Sequence, residues 1–335
     1  MNSNALKEPM PDNVNENSRR VFYKYITAKV AIKTLKNETL RWSSPLCFND
    51  PFDVPRTLAG DMKYSDISTA MACVIEKCIW NPQIEIGGFH NRAQEVINDG
   101  RGLKSQKDKE IYIKSHLARD PNTRPMKLRK KTEEVLKESR QSFLERIQKM
   151  RILCLSLERD IVSMWYHYAE KHRGVVLEFD NNISSISVGR NSKFHCVDYQ
   201  ENLPEIFTAK GWAEMMMSTA GYEKFTQYHL YVKKSDWEYE KECRIAFMEK
   251  EINAQKYTDV PFSKESILKI YFGPKTRPRH KKRLMKLILK RYPHVQAYDM
   301  KFEFGWKMTP VPVKDVKRRW LDLFKFNKHR KNCGS

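Results

Sequence analysis

Short apolar runs and amphipathic stretches follow one another irregularly along the chain. Continuous or nearly continuous apolar character predicts strands at 20–27, 40–44, 151–158, 175–180, 243–248, 267–273 and 294–300. Apolar residues at spacings of three and four predict helices at 28–39, 163–172, 203–229 and 279–291. Since these elements do not alternate regularly, the pattern favours an α+β fold over a doubly wound sheet.

The same pattern divides the chain into three parts. Residues 1–19 are polar and are predicted to form a flexible N-terminus. Residues 20–300 are predicted to form a single α+β domain, in which about 60–150 is a helical insertion, because 125–150 is rich in helix formers and in charges of both signs. Residues 301–335 are predicted to be a basic C-terminal tail.

Charge changes this picture more than composition does. The 335 residues carry a net charge of +21, and the last 61 residues hold 19 Lys and Arg against four Asp and Glu. A polyanion is the natural partner of such a region, nucleic acid first and an anionic membrane surface second. The alternative is a solvated basic face that has no partner.

Several classes of protein are disfavoured by what the sequence lacks. No apolar run reaches the roughly 20 residues of a membrane span. The seven cysteines are scattered and form no C-x-x-C pair, which favours reduced thiols in the cytoplasm and argues against a zinc ribbon. The sequence contains no P-loop, G-x-G-x-x-G, H-E-x-x-H or G-x-S-x-G, so kinase, Rossmann dehydrogenase and serine hydrolase functions lose support.

A first candidate cluster lies near the N-terminus of the predicted domain. Tyr25 and Thr27 end a predicted strand, and the polar loop 46–55 follows the next strand. A strand end beside a polar loop could hold a ribose or an amide. The alternative is a hairpin edge closed by an Asn-Asp-Pro turn.

A second cluster lies on the predicted helix 163–172. Trp165, Tyr168 and His172 are offset by three and four residues, so they share one helical face. Such an aromatic face could stack a flat ring such as nicotinamide or adenine. The commoner alternative is packing of the helix against the sheet.

The third cluster is acidic. Glu238, Glu240 and Glu242 run into the apolar strand 243–248, and in an extended chain they would share one face. Carboxylates fixed at the head of a strand could bind ribose hydroxyls and stabilise an oxocarbenium-like cation. The alternative is an edge strand whose charges prevent aggregation.

These clusters resemble a bacterial family known as domain of unknown function 2971. The resemblance covers roughly 20–275 and is carried by motifs in the family's order: Tyr23-Lys24-Tyr25, Leu40-Arg41-Trp42-Ser43-Ser44-Pro45, Phe48-Asn49-Asp50-Pro51-Phe52-Asp53, Cys154-Leu155-Ser156, Met164-Trp165-Tyr166-His167-Tyr168-Ala169, His172-Arg173-Gly174-Val175 and Trp237-Glu238-Tyr239-Glu240-Lys241-Glu242-Cys243-Arg244. The family name implies no activity.

The order of parts is also similar to that of ADP-ribosyltransferases. Tyr25-Ile26-Thr27 stands where those enzymes have His-x-Thr, and Glu240-Lys241-Glu242 resembles their late Glu-x-Glu. The resemblance implies split mixed or antiparallel sheets with NAD, as a substrate, in the cleft between them. It also implies a toxin or antiphage effector, with a possible antitoxin as partner.

The resemblance implies a role for each candidate residue. Glu242 would hydrogen-bond the ribose 2′-hydroxyl, and Glu240 would orient or deprotonate the acceptor. The residues expected to contact NAD are Lys24, Tyr25, Thr27, Ser43, Asn49, Asp50, Trp165 and Tyr168.

The acceptor is predicted to be RNA or DNA. The helix 279–291 should present Arg279, Lys282, Arg283, Lys286 and Lys290 to phosphates, and Trp320, Phe324 and Phe326 in the tail could stack bases. The competing hypothesis is a Mg²⁺-dependent nuclease, or a nucleic-acid-binding protein without NAD chemistry. The nuclease would use Asp50, Asp53, Glu240 and Glu242.

Overall fold

The computed structural model describes residues 21–54, 63–117, 126–180, 194–252 and 254–313. The strands are β1 (Val21–Ile26), β2 (Thr39–Ser43), β3 (Met150–Ser156), β4 (Val175–Asp180), β5 (His195–Cys196), β6 (Asp198–Gln200), β7 (Val232–Lys234), β8 (Glu242–Met248), β9 (Tyr257–Pro261), β10 (Ile267–Phe272), β11 (Gln296–Glu303) and β12 (Lys307–Pro312). The helices are α1 (Ala28–Asn37), α2 (Tyr64–Trp80), α3 (Asn91–Gly102), α4 (Gln106–His116), α5 (Met126–Lys149), α6 (Val162–His167), α7 (Ala209–Met217), α8 (Thr219–Tyr231) and α9 (Pro278–Arg291). The α+β class is confirmed.

One large mixed sheet organises the molecule. Its order is β12-β11-β10-β4-β1-β3-β2-β9, and β8 pairs with both β3 and β5. Only β10 and β11 run parallel within it, and α9 makes the crossover between them. Strand β3 pairs along its whole length with β8 but only sparsely with β1 and β2: Tyr23 lies opposite Ser156, and Ser43 lies opposite Ile152. This sparse pairing beside β3 leaves room for a cleft.

Both faces of the sheet are covered by helices. On one face α1 and α9 pack side by side. Tyr292 directly follows α9, and its hydroxyl donates to the Leu35 carbonyl in α1 at 2.8 Å. On the other face α6 places Trp165 against Tyr25 and Val176. Burial of these apolar residues fixes the strand ends that carry the candidate site.

Four helices, α2–α5, lie where the sequence predicts a helical insertion, between β2 and β3. They do not stand alone, because α2 packs against α7 around Ile67 and Trp212. None of the described helices is long and apolar enough to cross a membrane. A cytoplasmic location stays a prediction.

Several sequence-based boundaries are wrong. The predicted helix 163–172 ends at His167, because Glu170, Lys171 and His172 adopt positive φ angles and turn the chain towards β4. The predicted helix 203–229 is two helices that meet at Ser218, which caps α8.

The C-terminal boundary also differs from the prediction. Strand β11 continues to Glu303 and β12 follows it, so the sheet extends into the stretch predicted to be tail. The predicted N-terminus 1–19 and the tail aromatics Trp320, Phe324 and Phe326 lie outside the described residues.

The cysteine prediction is wrong for one pair. Cys196 and Cys243 face each other on β5 and β8, and their Sγ atoms form a disulfide. The cysteines at 47, 73, 78 and 154 are free thiols.

Candidate active site

The acidic segment is not an extended strand. Residues 235–240 form a 3₁₀ helix, and Lys241 then adopts a left-handed conformation with φ 45° before β8 begins at Glu242. This reversal buries both Glu240 and Glu242 while Glu238 stays exposed. The Ser156 hydroxyl holds the turn by donating to the Glu240 carbonyl at 2.7 Å. Two carboxylates, rather than three, therefore point into the protein.

Arg244 binds two of the buried carboxylates. Its Nε and Nη2 donate to the two Glu242 oxygens at 2.9 and 2.8 Å. Its Nη1 and Nη2 also donate to the two Asp53 oxygens, at 2.8 and 2.7 Å. The Arg244 side chain is completely buried, so paired charges rather than water stabilise it.

Lys233 is the second buried cation. Its Nζ lies 2.7 Å from Glu240, 3.3 Å from Glu242 and 3.4 Å from Asp53. Burial alone would lower the pKa of Lys233, but the three carboxylates outweigh burial and raise it. Lys233 is therefore charged at neutral pH and cannot act there as a base.

The two glutamates differ in their capacity to interact further. Burial acts to raise the pKa of Glu242, but Arg244 and Lys233 overcome it and lower that pKa to about 2. Glu242 also accepts from the Cys154 thiol, so its acceptor positions are filled.

Glu240 is less saturated. It accepts one bond on each oxygen, from the Tyr168 hydroxyl at 2.6 Å and from Lys233. Burial raises its pKa, although Lys233 opposes the shift. Glu240 therefore keeps free acceptor positions and binds a proton more readily than an ordinary glutamate.

A cavity of about 390 Å³ opens beside β3, where pairing with β1 and β2 is sparse. Its lining includes Tyr23, Lys24, Tyr25, Arg41, Ser43, Phe48, Asn49, Asp53, Cys154, Ser156, His167, Tyr168, Lys233, Glu240 and Glu242. A volume of this size suits one small ligand or part of a larger one. The mixed polar and aromatic lining can both stack a ring and bind hydroxyl groups.

The structure brings together seven of the ten residues predicted to bind NAD or catalyse. These are Lys24, Tyr25, Ser43, Asn49, Tyr168, Glu240 and Glu242. Of these, Tyr168 receives a long hydrogen bond of 3.4 Å from the Asn49 amide, which connects the polar loop to the aromatic helix.

Three of the residues predicted to contact NAD do not line this cavity. Thr27 caps α1, accepting from the Val30 amide at 3.2 Å. Asp50 accepts from the Phe52 amide at 2.9 Å and so closes a turn. Trp165 is fully buried, which bears out its core interpretation.

Two of the lining residues are engaged elsewhere. The Tyr25 hydroxyl donates to the Glu158 carbonyl at 2.9 Å and is thereby tied to the backbone. Lys24 donates to the Cys154 carbonyl at 2.6 Å, and burial lowers the pKa of its amine. Tyr25 forms a wall of the cavity, whereas the Lys24 amine lies near Glu242.

Sequence reasoning did not assign Lys233 and Arg244 to the site, and it placed Asp53 only in the metal alternative. Asp53 and Arg244 are 191 residues apart in sequence, so no local pattern joins them. Arg244 follows the Glu-x-Glu motif and lies two residues after Glu242 on the buried strand β8. This spacing is the sequence signal that could have placed Arg244 in the site.

The metal alternative loses support from this geometry. Asp53, Glu240 and Glu242 are already paired with Lys233 and Arg244. Over the described ranges, no group of three potential ligands is arranged to hold a metal ion.

The five cations predicted to bind phosphates all lie on α9. Leu284, Met285 and Ile288 bury the apolar side of the helix. The opposite side exposes Arg279, Lys282, Arg283, Lys286 and Lys290. The amphipathic prediction for this helix is confirmed.

Comparison with known proteins adds one finding. The family model described as protein of unknown function (DUF2971) matches residues 164–245, which supports the resemblance over a shorter range than expected. The matched range contains Tyr168, Lys233, Glu240, Glu242 and Arg244. No curated protein and no solved structure matches the chain, so the resemblance to ADP-ribosyltransferases has no support from these comparisons.

Proposed function

We propose that the protein is an NAD-dependent ADP-ribosyltransferase. The observation that carries the proposal is the pair of unequal glutamates in one cavity. Glu242 is held ionised by Arg244, and Glu240 keeps a raised pKa and free acceptor positions beside Tyr168. Two carboxylates in different environments can divide charge stabilisation and proton transfer between them.

The proposed reaction breaks the bond between nicotinamide and the ribose C1′. The departing nicotinamide keeps the bonding electrons, and positive charge develops on the ribose. The fixed charge of Glu242 stabilises that cation through space rather than through a direct hydrogen bond. Tyr168, on the cavity wall, stacks the nicotinamide ring.

Transfer is completed when the acceptor attacks C1′. The acceptor loses a proton in this step, and Glu240 is the group proposed to take it. A carboxylate with a raised pKa is a more effective base near neutral pH than an ordinary glutamate. Lys233 orients Glu240 and favours its ionised form.

Release of nicotinamide from NAD tests the proposal directly. The purified full chain is incubated with NAD alone, and with single-stranded RNA, single-stranded DNA or duplex DNA added in turn. Release that depends on the protein, with ADP-ribose recovered free or on an added nucleic acid, is the expected result. No release under any of these conditions would contradict the proposal.

The proposed acceptor is a nucleic acid, because α9 presents a row of exposed cations to solvent. A toxin or antiphage role and an antitoxin partner depend on the resemblance alone and stay predictions.

Charge reversal on α9 is expected to weaken nucleic-acid binding. The variant K282E/R283E/K286E removes three phosphate-binding charges, so the logarithmic dependence of affinity on salt should fall by about one for each phosphate that is no longer neutralised. The matched control K104E/K107E/K114E makes the same change in net charge at exposed positions before and on α4. Binding titrations at two salt concentrations measure both. Equal weakening by the two variants would show that only net charge matters.

A further inference from the structure

The hairpin of β11 and β12 carries the most exposed aromatic side chains of the described residues. Its last pair is Glu303 opposite Lys307, so residues 304–306 form the loop. Phe304 and Trp306 at this tip are fully exposed, and Phe302 just below is half exposed. Exposure of apolar rings to water is unfavourable, and nothing in the described fold covers Phe304 and Trp306.

The backbone conformation at the tip of the hairpin does not favour a tryptophan at position 306. Gly305 and Trp306 have φ angles of 88° and 65°. Glycine adopts this region freely, but a bulky residue does so at a cost. Glycine or asparagine at 306 would form the loop more easily, so stability of the turn gives no reason for an indole there.

The base of the hairpin is joined to the start of α9. Lys281 contacts the Asp299 carboxylate at 2.5 and 2.6 Å. The Phe302 ring lies 5.3 Å from the His172 ring, and the Lys275 amide donates to the His172 carbonyl at 3.0 Å. The aromatic tip therefore projects from the basic side of the molecule.

Exposed cations occur on the hairpin itself and on the segment that includes the start of α9. They are Lys275, Arg277, Arg279, Lys282, Lys301 and Lys307. Glu303 is the only acidic residue in β12, the loop and the last four residues of β11. The surface thus combines unpartnered rings with a local excess of positive charge.

We propose that the hairpin tip binds single-stranded nucleic acid by stacking Phe304 and Trp306 on unpaired bases, while the neighbouring cations bind phosphates. Exposed aromatic rings in basic surroundings recognise single strands because every base has a π-face. Two rings offer little area to an anionic membrane, since even a whole acyl chain anchors only marginally. The proposal rests on the proposed nucleic-acid partner and does not depend on NAD chemistry.

The test compares the full chain with the variants F304A/W306A and F304W/W306F, the second of which keeps two rings. Affinity for a fluorescent oligo(dT) and oligo(U) should fall about tenfold or more in the alanine variant and be largely retained in the ring-preserving variant. The salt dependence of the affinity should be the same in F304A/W306A as in the wild type, because the cations that bind phosphates remain. I111A, which removes an exposed apolar residue on α4, is the control and should bind normally.

Three results would overturn the proposal. Unchanged affinity in F304A/W306A, with wild-type thermal melting, would remove the hairpin from binding but leave α9 as the nucleic-acid surface. Tighter binding of duplex than of single strands would exclude stacking. Binding of anionic phosphatidylserine vesicles, abolished in F304A/W306A while oligonucleotide binding persists, would make the tip a membrane-binding element. In each case nicotinamide release without nucleic acid tests the transferase separately.

Discussion

Glu240→Gln is expected to lower transfer of ADP-ribose to the acceptor by about 10²–10⁴-fold, the usual contribution of a positioned base, and to lower nicotinamide release from NAD alone by less. Glutamine keeps the volume, and its carbonyl oxygen can still accept from Lys233 while its amide donates to the Tyr168 oxygen, so the fold should persist. Initial rates of ADP-ribose transfer and of nicotinamide release, with the melting temperature of each protein, measure the effect.

The matched control is Glu238→Gln, two residues earlier in the same 3₁₀ helix. Glu238 is exposed and pairs with the partly exposed Lys241 at 3.2 Å, so its neutralisation should leave the rate nearly unchanged. The wild-type rate should rise with pH as Glu240 loses its proton, at a pH above the ordinary range of a glutamate because burial raises this pKa. Loss of activity in both variants, or in neither, would remove Glu240 from the chemistry.

Arg244→Met is expected to destabilise the fold by about 3–5 kcal/mol, because it leaves Asp53 and Glu242 buried with Lys233 as the cation that they share. Urea unfolding at neutral pH measures the loss. Arg41→Met is the control: Arg41 and Asp259 form a half-exposed pair at 3.1 Å, and such pairs contribute below about 1 kcal/mol.

The pH dependence of this loss has a defined sign. In the wild type the pKa of Glu242 is about 2, below its unfolded value of about 4.3, so the pair adds stability above pH 4.3 that is lost as pH falls towards 2. Without Arg244 the buried carboxylates bind protons more readily. The difference between wild type and variant should therefore shrink as the pH is lowered from 7 to 4.

A second variant separates the loss of ion pairing from the loss of packing. D53N/E242Q/R244M removes the two carboxylates together with the arginine, so no buried charge is left unpaired by the change. We expect it to recover part of the stability lost in Arg244→Met. An equal or greater loss in the triple variant would mean that the ion pairs themselves stabilise the fold.

Much of the fold follows from local pattern. The strands β1, β4 and β10 are nearly continuous apolar runs, and α9 has its apolar residues at helical spacing, so the sequence alone predicts where they lie. The place of Tyr168 and Glu240 in the site can be predicted from the sequence, because Tyr168 shortly precedes the buried strand β4 and Glu240 shortly precedes the buried strand β8. The cavity itself is expected only from a resemblance.

The remaining features depend on contacts between distant segments. Lys233 follows α8, and nothing in the sequence of that helix indicates a buried cation. Lys233 gains its three carboxylate partners because β7, the loop before α2 and the segment that leads into β8 meet in the fold. The left-handed conformation of Lys241 is not predictable from a sequence that alternates like a strand. Trp165 is ambiguous in the sequence because an aromatic helical face serves a core and a ligand equally well.

Strand β12 forms one edge of the described sheet and contains two prolines. Their positions affect whether a strand from another copy of the chain can pair with this edge. The Val313 amide donates to the Ala297 carbonyl at 2.9 Å, so by the alternation of a strand the odd-numbered residues face β11 and the even-numbered ones face outwards. Pro310 and Pro312 are on the outward row and have no N–H to offer. Met308 is then the one outward residue of β12 that still offers an N–H, so the two prolines disfavour the pairing of a further strand along this edge.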